Sequence, residues 1–166
     1  KLKGEEAVIE SKCSYTILRT SWVYSEYGNN FLKTMINLSK MEELNIVSDQ
    51  HGCPTYSGDI ALVIKKIINC DNKNKVKGIF HYGGHEKTSW NEFALYIFNE
   101  AYKVGLIKNI PKINNIVSRD YPTLAKRPKN SSLNSSLICN LLDVSPSNWR
   151  RSVIITIKKI QKIKLN

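Results

Sequence analysis

The segment 15-YTILRTSWV-23 decides the fold of this chain. Its apolar and β-branched residues predict a largely buried strand that ends in a polar and aromatic cluster at Thr20, Ser21 and Trp22. Residues 1–12, which precede the strand and open with Lys1, are predicted to form a helix. A helix followed by a buried strand is the start of an alternating order, which predicts an α/β fold with a parallel or mixed sheet and flanking helices.

The alternation continues along the chain. We predict helices over 30–41, 57–70, 88–104, 135–142 and 146–163, and further strands over 44–48 and 76–82. Ser57 and Thr88 are the predicted N-caps, although the box that starts at Thr88 lacks Glu at its third following position. Pro146 is placed just inside the last helix. Residues 106–134, with three of the five prolines, predict a loop-rich layer.

Length and composition predict one domain, since 166 residues with 42% hydrophobic content can bury a core. The sequence has no apolar run of membrane-spanning length and no signal-peptide hydrophobic region, so we expect a cytoplasmic protein that does not contact a membrane. The four cysteines form no zinc-binding or redox spacing. His81 and His85 are spaced like metal ligands, but Tyr82-Gly83-Gly84 between them predicts a strand end and a turn. We therefore predict no metal site.

Positive charge is concentrated in the last third of the chain. From Lys108 onward there are twelve of the 25 Lys and Arg residues but only two of the 14 Asp and Glu residues. Such a bias is typical of proteins that bind nucleic acid, a membrane surface or an anionic small substrate. The sequence contains no nucleic-acid-binding motif, so that class is disfavoured. We interpret most of the charge as the solvated face of an amphipathic last helix.

Several blocks, taken together, resemble one family of enzymes. They are 19-RTSWVY-24, 28-GNNF-31, 49-DQHGCPT-55, 89-SWNEFA-94 and 121-YPTLAKRP-128, followed by Ser131 and Leu133. In this order they are similar to the extended short-chain dehydrogenases, and among these to the dTDP-4-dehydrorhamnose reductase family. The resemblance implies the C-terminal part of an NAD(P)-binding Rossmann-like fold. Residues 1–166 would be the substrate-binding portion, with 1–25 a remnant of the Rossmann layer.

The resemblance also implies an activity. In that family NADPH, with NADH as the alternative, reduces the 4-keto group of dTDP-6-deoxy-L-lyxo-4-hexulose to dTDP-L-rhamnose, a precursor of cell-surface polysaccharide such as lipopolysaccharide O-antigen. Lys1 falls at the family's catalytic lysine, which contacts the cofactor ribose and lowers the pKa of a tyrosine one helical turn earlier. Thr20 and Ser21 would border the nicotinamide at a strand end. An ordinary solvated lysine is the alternative for Lys1.

Three residues are implied to bind the substrate. Trp22 would face the sugar, Asn30 would lie near the nucleotide, and Arg127 would hold the diphosphate or the sugar because its planar cationic group suits phosphate. The alternatives are a core position for Trp22 and a helix cap for Asn30. Lys126 is interpreted as a surface residue. The pocket wall is assigned to Gln50, Gly52, Pro54 and Thr55, and packing to Trp90 and Phe93.

One part of the family pattern is not found in this sequence. Complete members begin with a Rossmann half whose glycine-rich turn holds the cofactor pyrophosphate, and the nearest match, Gly83-Gly84, lacks a third glycine. We therefore expect a chain that begins within the enzyme, is inactive alone, and pairs with an N-terminal Rossmann half or with a second copy. The alternative is a non-catalytic binding or regulatory subunit, as in the reductase-like regulatory subunit of methionine adenosyltransferase.

Overall fold

The computed structural model describes residues 1–123, 125 and 127–165, with the side chains of the last two left out. Leu124 and Lys126, in the family-like block 121–128, lie outside the described residues. The helices are α1 (Leu2–Glu10), α2 (Phe31–Leu38), α3 (Ser57–Ile68), α4 (Trp90–Lys103), α5 (Ser136–Leu142) and α6 (Trp149–Leu165). The strands are β1 (Thr16–Arg19), β2 (Val23–Tyr24), β3 (Glu43–Val47), β4 (His51–Gly52), β5 (Thr55–Tyr56), β6 (Gly78–His81), β7 (Thr88–Ser89) and β8 (Lys112–Ile116).

The strands form four pairs. Parallel pairing joins β1 to β6, β2 to β5 and β3 to β8, while β4 and β7 are antiparallel. Helices alternate with these strands along most of the chain, and parallel pairing requires such crossover connections. The predicted α/β class with parallel and mixed pairing and flanking helices is confirmed.

The prediction of one buried strand over 15–23 was wrong in its continuity. Trp22 has a φ of 49°, in the left-handed region that side chains rarely adopt, and there the chain turns. Strand β1 therefore ends at Arg19, and β2 starts at Val23 with a different partner strand. All four β1 residues are half-buried, and only Tyr24 of β2 is buried. The turn places Trp22 at the junction of the two strand pairs.

The main core lies around α4. Phe93, Ile97 and Phe98 of this helix have no solvent exposure, and they belong to the same apolar cluster as Trp149 and Val153 of α6. Helix α2 also packs on α4. A smaller cluster, comprising Val63, Phe80, Tyr82, Ile138 and Cys139, joins α3 and α5 to β6. Helix α4 thus carries the core on one side and presents Trp90, its first residue, at its N-terminal end.

The start of α4 corrects the predicted cap. Ser89, not Thr88, is the N-cap: its hydroxyl accepts from the Glu92 backbone N–H at 3.1 Å, and the Glu92 carboxylate accepts from the Ser89 N–H at 2.9 Å. Thr88 instead donates its hydroxyl to the same carboxylate at 2.9 Å. The capping box is therefore complete one residue later than the sequence pattern indicated.

The predicted N-cap role of Ser57 and the predicted start of the last helix at Pro146 were also wrong. Ser57 is the first residue of α3, and the N-cap position belongs to Tyr56, whose side chain makes no capping hydrogen bond. Pro146 precedes α6, which begins three residues later at Trp149. Each shift is within the uncertainty with which sequence patterns locate helix ends.

Strand β8 lies within 106–134, where the sequence predicted a loop-rich layer. Its register with β3 pairs Leu44 with Ile113 and Val47 with Ile116. Asn114 and Asn115 at its centre are poor strand formers, so its own sequence gives a weak signal. The parallel partner β3 supplies the stabilisation, because alignment of the two strands satisfies backbone groups of both.

The basic last helix is less fully solvated than its charge suggested. Lys159 donates to Glu26 at 2.7 Å and to the Tyr56 hydroxyl at 2.8 Å, and the Glu26 side chain is only 4% exposed. Arg150 donates to both carboxylate oxygens of Glu86, at 2.9 and 3.0 Å. These two cations join α6 to the rest of the chain while they stay about half exposed, at 45% for Arg150 and 47% for Lys159.

Helix α1 is the most weakly buried helix of the described chain, with no buried residue. The guanidinium of Arg19 donates to both oxygens of Glu5, which joins α1 to the end of β1 and holds the pKa of Glu5 below its usual value. Leu2, Val8 and Ile9 of α1 are exposed.

No helix within residues 1–123, 125 and 127–165 is long and apolar enough to cross a membrane. Over the same residues, no three or more His, Cys, Asp and Glu side chains are grouped as metal ligands. His81 and His85 lie at the end of β6 and in the turn that follows it.

Candidate functional site

Two tryptophans form the centre of the candidate site. The indoles of Trp22 and Trp90 are stacked with ring centroids 3.5 Å apart and planes 5° from parallel. Phe31, the first residue of α2, lies against Trp90 at a centroid distance of 4.5 Å. Trp22 comes from the turn between β1 and β2, whereas Trp90 and Phe31 begin two helices. Three separate elements therefore place flat side chains at one point.

The Trp22 ring is fixed on more than one side. Its Nε1 donates to the Ser131 hydroxyl at 2.8 Å, and Ser131 in turn donates to the His51 carbonyl at 3.2 Å. A Cβ added to Gly52 would lie 2.5 Å from the indole, so the β4 backbone approaches the ring as only glycine permits. Trp22 is therefore held in one orientation before any ligand arrives.

Trp90 is held by a chain of polar groups. Its Nε1 donates to the Gln50 side-chain oxygen at 3.2 Å, and the Gln50 amide donates to the Ser118 hydroxyl at 3.0 Å. Ser118 donates its hydroxyl to Asp49 at 2.6 Å and its backbone N–H at 2.8 Å. The hydrogen bond from the Ser118 hydroxyl is the largest influence on the Asp49 carboxyl and holds its pKa below the usual value. The Ser118 and Asp49 backbone N–H groups lower this pKa further, against an opposing effect of desolvation that is smaller than that of the Ser118 hydroxyl. Asp49 therefore remains an acceptor that orders this series of hydrogen bonds.

A cavity of about 290 Å³ opens beside the stacked indoles. It is lined by Ser21, Trp22, Gln50, Trp90, Arg127, Pro128 and Ser131. The hydroxyl oxygen of Ser21 is sequestered from solvent, and it has no hydrogen-bond partner within the part of the chain that the structure describes. A buried hydroxyl without a partner is unfavourable, so a ligand that bonds to it would be stabilised there.

A second cavity, of about 420 Å³, lies next to the first and shares Gln50, Trp90 and Arg127 with it. Its floor is apolar, formed by Phe31, Met35 and Leu38 of α2 and by Leu44, Ile46 and Val47 at β3. Its polar lining comes from Thr34, Asn45, Tyr121 and Thr123. The two cavities therefore adjoin, with Arg127 in the lining of both.

The predicted cofactor residues lie at different distances from this site. Ser21 lines the smaller cavity, whereas the exposed Thr20 lies one residue away along the chain. Lys1 is the exposed N-cap residue of α1 and lines neither cavity; its carbonyl accepts from Gly4 at 2.9 Å. The roles assigned to Lys1, Thr20 and Ser21 stay predictions.

Of the predicted substrate residues, Trp22 and Arg127 line the cavities and Asn30 does not. Asn30 caps α2: its Oδ1 accepts from the Lys33 N–H at 3.2 Å, and its amide donates to the Ser25 carbonyl at 2.8 Å. Both ends of its side chain are engaged by the fold. The helix-cap alternative describes its contacts, and its substrate role stays a prediction.

The wall predicted from the block 50–55 is assembled differently. Gln50 lines both cavities, and Gly52 packs beneath Trp22. Thr55 is fully buried, and its hydroxyl accepts from the Gly84 N–H at 3.3 Å. Pro54 is also buried. Neither Pro54 nor Thr55 is among the lining residues of the two cavities, so their part in the pocket wall stays a prediction.

Sequence reasoning placed Trp90 among the packing residues; the ring does pack against the main core, and it also lines both cavities. The first side chain of a helix is directed away from the following turns, so Trp90 enters the site while Phe93, three residues later, enters the core. Ser131 and Ser118 were not singled out as site residues. The sequence feature that could have indicated a site role for Trp90 is its position directly after Ser89, the N-cap of α4.

The chain is similar to known proteins over most of its length. A family model described as "RmlD substrate binding domain" matches residues 1–162. The dTDP-4-dehydrorhamnose reductase of Aggregatibacter actinomycetemcomitans is 44% identical over 156 residues, which are 92% of this chain and 53% of that protein. The chain thus spans about half the length of the curated relatives it matches.

Solved structures give the same relationship. The dTDP-4-dehydrorhamnose reductase of Clostridium acetobutylicum superposes with a TM-score of 0.83 at 38% identity, covering 97% of this chain and 54% of that one. The Bacillus anthracis enzyme, solved in complex with NADP, superposes with a TM-score of 0.80 at 35% identity, covering 96% and 53%.

Proposed function

The chain belongs to the family described as the RmlD substrate binding domain, and from this membership we propose that it binds the dTDP-sugar in an NADPH-dependent reductase. The proposed reaction is the reduction of the 4-keto group of dTDP-6-deoxy-L-lyxo-4-hexulose to dTDP-L-rhamnose in the cytoplasm. Because the chain covers about half of its relatives' length, we propose this activity for its assembly with a nucleotide-binding half.

The observation that carries the proposal is the pair of adjoining cavities with Arg127 in both linings. A nucleotide sugar has a planar apolar end, an anionic middle and a polar ring. These three parts match the apolar larger cavity, the shared Arg127 and the smaller cavity, in that order. The guanidinium of Arg127 suits the diphosphate, because its planar donors match two phosphate oxygens at once.

The smaller cavity suits the sugar. The face of the Trp22 indole that is not stacked on Trp90 offers a flat apolar surface of the kind that packs against a sugar ring. The Ser131 hydroxyl lines the same cavity and can accept a hydrogen bond from a sugar hydroxyl. Because Trp22 is already fixed by Ser131 and Gly52, little ordering cost remains when the sugar binds.

The larger cavity suits the pyrimidine base. Phe31 and Trp90 give aromatic surface, and Met35 and Leu38 extend it with apolar side chains. Thr34 and Asn45 lie in the lining as donors and acceptors for the edge of a base. Pockets of this kind, mostly apolar with a few polar groups, are typical of small-molecule sites.

The reduction also needs a nicotinamide dinucleotide, which supplies the hydride when bound. Of the residues proposed to contact it, Ser21 fits best, since its sequestered hydroxyl has no partner in the described chain. Thr20 follows β1 at the carboxyl end of a parallel strand, where open α/β sheets bind ligands. Lys1, with an exposed ammonium, is proposed to hold ribose hydroxyls. The stacked Trp22 and Trp90 exclude water from one side of the sugar.

We further propose that a nucleotide-binding half packs against α1 and the β1–β6 pair, with a second copy of the chain as the alternative partner. Leu2, Val8 and Ile9 of α1 and Ile79 of β6 are exposed there. An apolar surface of this kind favours association.

Ligand-observed NMR with dTDP-L-rhamnose tests the binding proposal. We expect weak binding to the isolated chain, of about millimolar affinity, because only part of the full site is contributed by these residues. Trp22→Ala and Arg127→Ala should each remove most of it, and Lys40→Ala, at an exposed lysine outside both cavities, should leave it unchanged. Unchanged ligand signals with the unmodified chain, or equal binding by Arg127→Ala, would overturn the proposal.

A further inference from the structure

A third cavity, of about 350 Å³, shares no lining residue with the two cavities of the proposed substrate site. Its lining comes from the turn after β6, with His85 and Lys87, and from the segment 130–136 that leads into α5. Ser131 and Ser132 are consecutive, yet Ser131 lines the sugar cavity and Ser132 lines this one. The segment therefore separates two distinct spaces.

The polar groups that line this cavity are arranged as donors. The Oδ1 of Asn130 accepts from the Ser132 backbone N–H at 3.2 Å, and the Oδ1 of Asn134 accepts from the Ser136 N–H at 2.9 Å. Since the acceptor end of each amide is engaged by the backbone, the NH₂ ends remain to bind another group. Lys87 adds an exposed ammonium, which can only donate.

The Ser132 hydroxyl is the buried member of this set. Its oxygen is sequestered from solvent and has no hydrogen-bond partner among the described residues. Together with Ser21 it is one of two side-chain oxygens of this kind in the described chain, and Ser21 belongs to the substrate site. A bound acceptor would remove the cost of leaving the Ser132 hydroxyl unsatisfied.

The charge of the lining favours a negative ligand. The lining residues include Lys87 and His85 but neither Asp nor Glu. The nearest carboxylate in sequence, Glu86, is held by Arg150 through two hydrogen bonds and is not in the lining. An anion entering the cavity therefore meets donors and a cation without a carboxylate in the wall.

We propose that this third cavity binds a small phosphate-bearing anion, either inorganic phosphate or a sugar phosphate monoester. Ser132, Asn130 and Asn134 donate to the phosphate oxygens, and Lys87 supplies the charge at the rim. The site does not depend on the dTDP-sugar proposal, since the two sites have no lining residue in common.

The test is a titration of the ¹⁵N-labelled chain with inorganic phosphate at constant ionic strength, followed by the backbone amide shifts. We expect saturable shifts in residues 84–87 and 130–136. Lys87→Gln and Ser132→Ala should each weaken binding at least about fivefold, which corresponds to the loss of one charge-assisted hydrogen bond. Lys40→Gln, at an exposed lysine that lines none of the three cavities, should bind phosphate as the unmodified chain does.

Shifts that never saturate, shifts confined to the surroundings of Arg127, or equal binding by Lys87→Gln would each overturn the proposal. Lys87 is exposed, so this variant keeps the test valid even if Ser132→Ala fails to fold. A parallel titration with glucose 1-phosphate separates the two ligands. Tighter binding than inorganic phosphate identifies a sugar phosphate, and equal or weaker binding identifies free phosphate.

Discussion

Replacing Gly52 by alanine should disrupt the site from beneath Trp22. The added Cβ would lie 2.5 Å from the indole Nε1 and Cε2 of Trp22 and 2.7 Å from the Ser131 hydroxyl. Carbon atoms in proteins pack at about 3.5–4.0 Å, so the ring has to move by about 1 Å. Trp90 is stacked on one face of the ring at a centroid distance of 3.5 Å and limits that movement.

The expected loss of stability combines two effects. Overfilling a packed site costs about 1–3 kcal/mol, and displacement of the ring breaks the 2.8 Å hydrogen bond from Trp22 to Ser131, worth about 1 kcal/mol. The free energy of unfolding should therefore fall by about 2–4 kcal/mol. Binding of dTDP-L-rhamnose should fall as well, because Trp22 lines the sugar cavity.

Urea unfolding followed by far-ultraviolet circular dichroism measures this change. Gly4→Ala is the matched control: it lies within α1, and an added Cβ has no atom within 4 Å. That variant should be more stable by about 0.5–1 kcal/mol, since alanine is the better helix former. If Gly52→Ala changes the free energy of unfolding by less than about 0.5 kcal/mol, the close approach of β4 to Trp22 is wrong.

Three more outcomes are expected. Lys159→Met should lower the free energy of unfolding by about 1–2 kcal/mol in urea titrations, which is less than for a fully buried pair because Lys159 is 47% exposed. The control Lys158→Met, at the neighbouring exposed lysine, should change the free energy of unfolding by under about 0.5 kcal/mol. Equal effects of the two substitutions would refute the contact between Lys159 and Glu26. The Ser89 N–H and the Thr88 hydroxyl lower the pKa of Glu92. The stabilisation by the Glu92 carboxylate is therefore complete above the ordinary pKa of 4.5 and is lost as pH falls through the lowered pKa. Glu92→Gln should make the urea midpoint depend less on pH below pH 4.5, and an unchanged pH dependence would contradict this. The isolated chain should not oxidise NADPH with the keto-sugar in an absorbance assay, because no glycine-rich pyrophosphate turn is found in its sequence; turnover above background would refute this.

The α/β order was accessible from sequence because apolar periodicity reports burial, and each predicted strand has a counterpart in the structure. The turn at Trp22 was not accessible, since the left-handed φ depends on the pairing of β1 and β2 with different partners. Strand β8 was missed for a related reason: its asparagines carry little strand propensity, and its partner is 69 positions away along the chain, as in the pairing of Asn45 with Asn114.

The site was partly accessible. Trp22 and Arg127 followed from resemblance, and both line the cavities. Trp90 was interpreted as packing because an aromatic residue on an apolar helix is most often in the core; its entry into the site depends on where α4 begins, which is the feature that sequence patterns locate least well. The third cavity depends on the path of segment 130–136, a loop without periodicity, so sequence reasoning gave no indication of it.

The stacked pair of Trp22 and Trp90 has an optical consequence. Two identical chromophores held 3.5 Å apart and 5° from parallel couple their excited states, so the ultraviolet spectrum of the pair depends on how the two rings are placed relative to each other. Trp149, the third tryptophan, lies edge-on to Phe93 and Tyr96 and adds an ordinary indole spectrum. The coupled absorption therefore originates in the wall of the proposed substrate site. The protein carries its own unlabelled reporter of any event that separates or rotates these two rings.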